Sequence, residues 1–407
     1  MRVLIYEHVS GGGFAGLPVP SGVLSEGFGM LRGLVADFKA AGHYVAVMLD
    51  SRIAEFDPPL GADWVVPVFA VGEVQELIRR CAASADAVYV VAPESDGVLQ
   101  LLLEVVEQTG VASLNCEAYV VGKVADKAVL YELLSRLGIA VPKTVVFGVD
   151  ASVAEVARAV EGELRFPVIF KPSNDVSCGG LSLVRDKQQI AEAVAKIRRD
   201  SSSRRFLVQE FIRGATASVS LISTGNEALA LSLNRQDVVL SGPEGGSSYL
   251  GGLVPFDHPL RRRAFEAVEK IVESFPGLRG YVGVDVVLTE KEAVVVEVNP
   301  RLTTSYVGLR QVVDFNLAAG FLNAVLKRSL PKSVRTFGYA YFSKVETCVS
   351  SADVLGKIYG MGEVVSPPFP IGEDNVAFGL VSTRGNTVNL AMVRFNGAKR
   401  RLLSIMG

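Results

Sequence analysis

Over the first 115 or so residues, short apolar and β-branched runs alternate with stretches of helical periodicity. Residues 3–6, 44–49, 64–68 and 87–91 read as strands, and 23–41, 73–83 and 97–109 as helices between them. This alternation predicts a parallel sheet covered on both faces. An amphipathic helix is expected at 126–137, where Gly138 and Pro142 mark its stop. Strands at 143–147, 167–171 and 181–184 then surround helices near 152–162 and 187–199. A polar loop at 198–205 leads to a strand at 206–211. Further strands are expected at 217–223, 227–233, 281–288 and 293–298, a helix at 259–274, and a last apolar helix at 309–328. Pro331-Lys332-Ser333 reads as a linker, and 334–407 as a segment of short strands and turns. The domains expected are thus 1–115, 116–205, 206–330 and 331–407.

Composition narrows the function classes. In 407 residues, 49% are hydrophobic and 21% charged, the balance of a globular chain with ample core. A net charge of −2 gives no general attraction to nucleic acid or anionic membranes. No apolar run reaches the ~18 residues needed to span a bilayer, and the opening residues read as a buried strand rather than a signal peptide. Cys81, Cys116, Cys178 and Cys348 lack metal-site spacing, which fits a reducing, cytoplasmic setting.

One motif points the wrong way. Gly11, Gly13 and Gly16 satisfy G-x-G-x-x-G after a strand, the pattern of a dinucleotide fold. Such a loop must open directly into a helix, yet Pro18 and Pro20 intervene. Asp50 also lies too far on to be the ribose-binding acid. A loop at the sheet edge that touches substrate through Glu7, His8 and Ser10 is the better expectation.

The strongest chemical signal is a hairpin. Two valine-rich runs flank a polar turn near Lys291. A turn centred there sets Asp285 opposite Glu297 and Gly283 opposite Asn299, with Glu297 and Asn299 on one face. Opposed carboxylates destabilise a sheet unless a cation joins them. Oxygen donors without His or Cys suit Mg²⁺ or Mn²⁺ holding nucleotide phosphates, and Arg301 follows at once. A one-residue slip would break the pairing.

Two lysines precede the hairpin. Lys127 opens a helix, and Lys171 ends an apolar strand, where a lysine is costly unless it meets an anion. The stretch 173–180, ending in Gly179-Gly180, is small enough to lay backbone N–H groups over phosphates. Either lysine alone also fits an ordinary surface residue. The strand at 207–212 offers Gln209, Glu210, Phe211 and Ile212 as an adenine edge.

In this order the elements resemble the ATP-grasp superfamily: Lys127, Lys171 with its glycine loop, the 209–212 strand, Asp285, then Glu297-x-Asn299. The resemblance covers about residues 1–328. It implies an α/β chain (α+β overall) with the ATP-grasp fold: an N-terminal parallel α/β domain, a two-lobed core and a small β-rich C-terminal appendix. It further implies phosphate contacts from Lys127 and Lys171, an adenine site at Gln209–Ile212, and metal ligands in Asp285, Glu297 and Asn299. An acidic ribose ligand is usual where this chain has Ala215-Thr216, leaving Ser218 or Glu210 as substitutes. Asn299–Ser305, Leu233–Gln236 and the opening Tyr6–Gly13 most resemble tyramine–glutamate ligases of methanofuran biosynthesis and their methylofuran-pathway relatives. That likeness implies ATP with a magnesium or manganese ion, and small-molecule partners: a carboxylate such as L-glutamate and an amine such as tyramine. Arg301, two residues after the metal ligands and with a planar donor fork, is expected to stabilise the oxyanion, and Arg235 to hold the substrate carboxylate or the transferred phosphate. Glu7, Ser10, Thr303 and Ser305 are the expected substrate contacts. The assembly considered is a homodimer. An ATP-grasp carboxylase and a non-catalytic nucleotide sensor are the alternative readings of the same residues.

Overall fold

The computed structural model describes residues 1–174, 180–348, 352–372 and 376–407. Among them, three sheets organise the chain. The first comprises β1 (Arg2–Glu7), β2 (Tyr44–Asp50), β3 (Trp64–Val68), β4 (Ala87–Val91) and β5 (Ala112–Ser113), all parallel, in the order β3-β2-β1-β4-β5. Period-two alternation divides its side chains. Leu4 and Tyr6 join one core with the helices Val74–Ala82 and Val98–Gln108. Val3 and Ile5 join another with Phe28, Leu31 and Leu34 of the long helix Ser21–Ala40.

The second sheet holds β6 (Thr144–Gly148), β7 (Val168–Pro172), β8 (Ser182–Val184) and β9 (Arg205–Glu210), antiparallel in the order β6-β9-β7-β8. Helices Val153–Glu163 and Ile190–Asp200 cover it around stacked Phe147, Phe170 and Phe206. The strand β9 therefore belongs to this small lobe, whereas the sequence boundary was set at its start.

The third sheet is the largest. It runs through β10 (Ala215–Thr224), β11 (Ala228–Val239), β12 (Ser248–Val254), β13 (Arg279–Leu288), β14 (Ala293–Asn299), β15 (Tyr339–Cys348), β16 (Val364–Ser366) and β17 (Val376–Gly385), in the order β14-β13-β10-β11-β12-β15-β17-β16. The segment after Pro331 thus continues this sheet edge to edge, because β15 pairs with β12 from Gly251↔Ser343 to Val254↔Ala340. It also ends in a helix, Val388–Met406, where only short strands and turns were expected. Its apolar face, Ala391, Phe395, Ala398 and Leu402, is buried at helical spacing, and Thr387 caps it by accepting from the Leu390 N–H. The expected helix at 309–328 is two, Tyr306–Val312 and Leu317–Lys327. No described helix is long and apolar enough to cross a membrane.

Candidate active site

The large and small sheets and the first two turns of the helix Ser21–Ala40 line a cavity of about 460 Å³. Its acidic wall is the hairpin β13–β14. Gly283 pairs with Asn299 and Asp285 with Glu297, the expected register. It is reached by a route the sequence did not show. On the turn side Leu288 pairs with Ala293 and Val286 with Val295, so Val296 is the extra residue of a β-bulge. The bulge moves the strand on by one position, and the Lys171 Nζ donates to the Val296 carbonyl at 3.4 Å.

Both lysines are buried beside this wall, Lys171 4% and Lys127 7% exposed. Lys127 Nζ lies 3.1 Å from Glu297. Its helix, Lys127–Arg136, is N-capped by Asp126, whose carboxylate accepts from the Ala128 and Val129 N–H groups. Asp126 also takes the Ser173 hydroxyl and Arg205, and the Lys127 N–H donates to the Ser173 carbonyl at 2.9 Å. The helix start is thereby tied to the residue just past β7, bringing together two lysines 44 positions apart in sequence (171 − 127).

Charge balance here is tight. Burial lowers the Lys171 ammonium to about 8, with Glu297 opposing and Lys127 reinforcing the shift. Burial and the facing Glu297 push Asp285 up to about 7, against donation from the Gln236 amide at 3.0 Å and from Asn299. Burial also works against the Glu297 charge, but Lys127 and Lys171 outweigh it and hold that carboxyl below its usual range. Arg301 is half-buried; desolvation works against its charge, but Glu94 across 2.9 Å outweighs it and sustains the guanidinium. Its Nη1 donates to the Leu302 carbonyl, so two of the five guanidinium N–H groups are engaged. One carboxylate oxygen of Glu94 is buried with no hydrogen-bond partner.

The adenine-edge residues Gln209, Glu210, Phe211 and Ile212 all line the cavity. Gln209 directs its amide to Thr144 and Glu210 accepts from the Lys143 N–H. Gly179 lies outside the described residues. Gly180 has φ +65°, and a Cβ there would come 2.8 Å from Pro172, so a side chain at this turn would strain it. Thr303 and Ser305 line the cavity and share hydroxyl contacts with Tyr281 and Ser220.

Three expected site residues stand elsewhere. Arg235 pairs with Asp237 at 3.1 Å and is not among the cavity residues. Successive residues of β11 face opposite ways, so it is Gln236 that faces Asp285. Glu7 and Ser10 lie off the cavity as well. The Glu7 carboxylate accepts from the Ser10 N–H at 2.7 Å, the Ser10 hydroxyl at 2.6 Å and the Val9 N–H at 3.1 Å. It therefore closes its own loop. The glycine-rich stretch that follows opens into no helix before Ser21, and Arg52 seals it by donating to the Phe14 and Leu17 carbonyls.

Among the lining residues that the sequence does not point to are Glu26, Tyr249 and Lys344. Glu26 stands on an amphipathic helix and Lys344 on a strand of the segment after Pro331, and no local pattern marks either as part of a site.

Residues 124–305 match the ATP-grasp domain family, and residues 43–121 match the pre ATP-grasp 3 domain. With the two buried lysines and the acidic hairpin, these matches place the chain in the ATP-grasp superfamily, as an ATP-dependent ligase that forms C–N bonds. It is similar to the tyramine–L-glutamate ligase of Methanocaldococcus jannaschii, with 27% identity over 315 residues, 76% of this chain and 84% of that protein. The Methanocaldococcus fervens enzyme of the same name is 30% identical over 230 residues, 55% of this chain and 62% of that one. Among solved structures, the biotin carboxylase domain of Hydrogenobacter thermophilus 2-oxoglutarate carboxylase shares the fold. The TM-score is 0.73 at 14% identity, over 98% of this chain and 89% of that one.

Proposed function

We propose that this ligase phosphorylates a small-molecule carboxylate with ATP and joins it to an amine, the acid being L-glutamate and the amine tyramine or a related aromatic amine. The observation that carries the reading is the opposition of Asp285 and Glu297 across one β pair, flanked by Lys127, Lys171 and Arg301. The substrate pair rests on the similarity to the Methanocaldococcus enzymes.

Asp285, Glu297 and Asn299 fit a divalent cation. Two carboxylates and a carboxamide converge, and Asp285 is pushed toward its neutral form by burial and then by Glu297, the neighbour whose charge a cation would offset. Among the described residues no cluster of three His, Cys, Asp or Glu could hold a metal, so phosphate oxygens would complete the shell, as suits magnesium. The relative solved with MgADP supports this choice. A bound magnesium or manganese ion would withdraw charge from the β- and γ-phosphates.

The chain's own part follows from its charges. Lys127 and Lys171 hold the phosphates in a site where burial strengthens each contact. A substrate carboxylate oxygen attacks the γ-phosphorus, the bond to ADP breaks, and an acyl phosphate forms. The amine nitrogen then attacks the acyl carbon, inorganic phosphate leaves, and the nitrogen's proton passes to water. Arg301, fixed by Glu94, presents its remaining donors to the developing oxyanion.

The test is ADP release and product mass from Mg-ATP and L-glutamate, with and without tyramine. Tyramine-dependent ADP with a glutamyl-tyramine product supports the reading. Turnover only with another acid or amine replaces the substrate pair, and no ADP across a broad acid–amine panel overturns the ligase chemistry.

A further inference from the structure

Glu26 and Lys344 reach the cavity from opposite ends of the chain, 318 residues apart. Glu26 is carried by the second turn of the helix Ser21–Ala40 and Lys344 by the middle of β15. Lys344 Nζ lies 2.7 Å from one Glu26 oxygen, and the Thr304 hydroxyl donates to the other at 2.6 Å. Each side chain of the pair is 15% exposed.

Taking two charges out of water is costly, and an apolar pair of similar volume often stabilises a fold as well or better. As a mere clamp between helix and strand, the pair is a poor device. On a cavity wall it is complementary to a ligand that carries both charges. The surroundings leave room for one. Both side chains border the cavity of about 460 Å³, and Gly22 sets bare backbone beside Lys344, a Cβ there coming 3.9 Å from its Nζ. Ser21, Gly22 and Ser248 line the same cavity. The wall is also continuous with the reaction centre, for Thr304 directly follows Thr303 and lies three positions beyond Arg301. Tyr249 is pushed up by burial first, then by Glu26 and by Asp285, so its phenol lies within electrostatic reach of both.

Resting on the ligase reading above, we infer that Glu26 and Lys344 form the subsite for the α-ammonium and α-carboxylate of the amino-acid substrate. Lys344 takes the carboxylate, Glu26 takes the ammonium, and Thr304 orients Glu26. An amino acid held by both α groups keeps only a side-chain carboxylate to meet the γ-phosphate. The substrate class is therefore acidic amino acids, with simple monocarboxylates excluded. The segment after Pro331 supplies half of this specificity through β15.

The test is steady-state ADP release by the full chain with L-glutamate varied at saturating Mg-ATP and tyramine. It compares the wild type with Glu26→Gln, Lys344→Met and the reversed pair Glu26→Lys with Lys344→Glu, alongside KM for ATP and the thermal midpoint. Each single variant should raise KM for L-glutamate at least about thirtyfold, the low end for truncating one partner of a buried charge pair, while KM for ATP stays within about twofold. The reversed pair retains an ion pair, so it should keep the midpoint and still lose glutamate. Unchanged KM for glutamate in the variants overturns the subsite. So does recovery of normal turnover by the reversed pair, which would make the contact a structural clamp. Should the wild type release no ADP with any acid–amine pair, the ligase reading itself fails, a result distinct from either.

Discussion

The two walls of the cavity are built by opposite routes. The acidic wall comes almost whole from one stretch, residues 285–305, folded as a hairpin and the loop after it. The facing pair, Glu26 and Lys344, is assembled only when β15 pairs with β12 at the edge of the large sheet. The first wall sets two carboxylates side by side and depends on Lys127, Lys171 and, by our proposal, a cation for balance. The second is neutral by itself. A site of this kind separates chemistry that any carboxylate needs from recognition that only one class of carboxylate satisfies, and the two halves should fail differently when cut.

The largest effect is expected from Glu297→Ala. Removing the carboxylate that both lysines face should lower kcat at least about a thousandfold, the scale of losing a principal electrostatic contact in a water-poor site. Circular dichroism should show the fold retained. Next comes Lys171→Met, with an expected loss of about a hundredfold in kcat/KM for ATP. This variant sharpens the comparison because its stability should move the other way. A lysine that burial lowers to about 8 is held in a charged form the interior disfavours, so replacing it with an apolar chain of similar length should leave the thermal midpoint unchanged or raise it. A lower midpoint would mean that Glu297 and the Val296 carbonyl more than compensate the desolvation. Glu94→Gln should be milder, about tenfold in kcat with KM for ATP unaltered, since Arg301 stays charged and loses only the anion that fixes it. Smallest of all is Arg235→Ala, expected within about twofold in kcat, because its partner is Asp237 off the cavity. A hundredfold loss there would place Arg235 in the chemistry after all.

The same contrast explains what the sequence could and could not reveal. Alternating apolar runs disclosed the parallel sheet, and the alternation of the valine-rich hairpin set Asp285, Glu297 and Asn299 together, because both are written in local periodicity. Lys127 and Lys171 joined them only through the resemblance of their order to the ATP-grasp pattern. The hairpin register came out as expected for an incomplete reason. The turn pairs Leu288 with Ala293, and only the bulge at Val296 brings Asp285 opposite Glu297. A run of valines carries no mark of where such a bulge falls, and the groups that meet the backbone there, Lys171 at the Val296 carbonyl and Ala140 at the Val295 N–H, are distant in sequence. Arg235 and Gln236 are both polar, and which of them faces inward is decided by the neighbouring strands, not by type. Glu7 looked available because its three hydrogen-bond donors come from a turn that composition does not predict. The final helix was legible in Ala391, Phe395, Ala398 and Leu402, yet Asn396 and Gly397 within it lower its intrinsic propensity. Glu26 and Lys344 were beyond reach, for nothing short of the folded sheet relates position 26 to position 344.

The central claim is that the acidic wall activates a carboxylate by moving the γ-phosphoryl group of ATP onto it. The direct measurement uses L-glutamate labelled with ¹⁸O in its side-chain carboxylate, Mg-ATP and tyramine, followed by mass spectrometry of the released phosphate. Attack of a carboxylate oxygen on phosphorus predicts one ¹⁸O atom carried into phosphate for each amide formed. Amide formation with unlabelled phosphate would contradict the account.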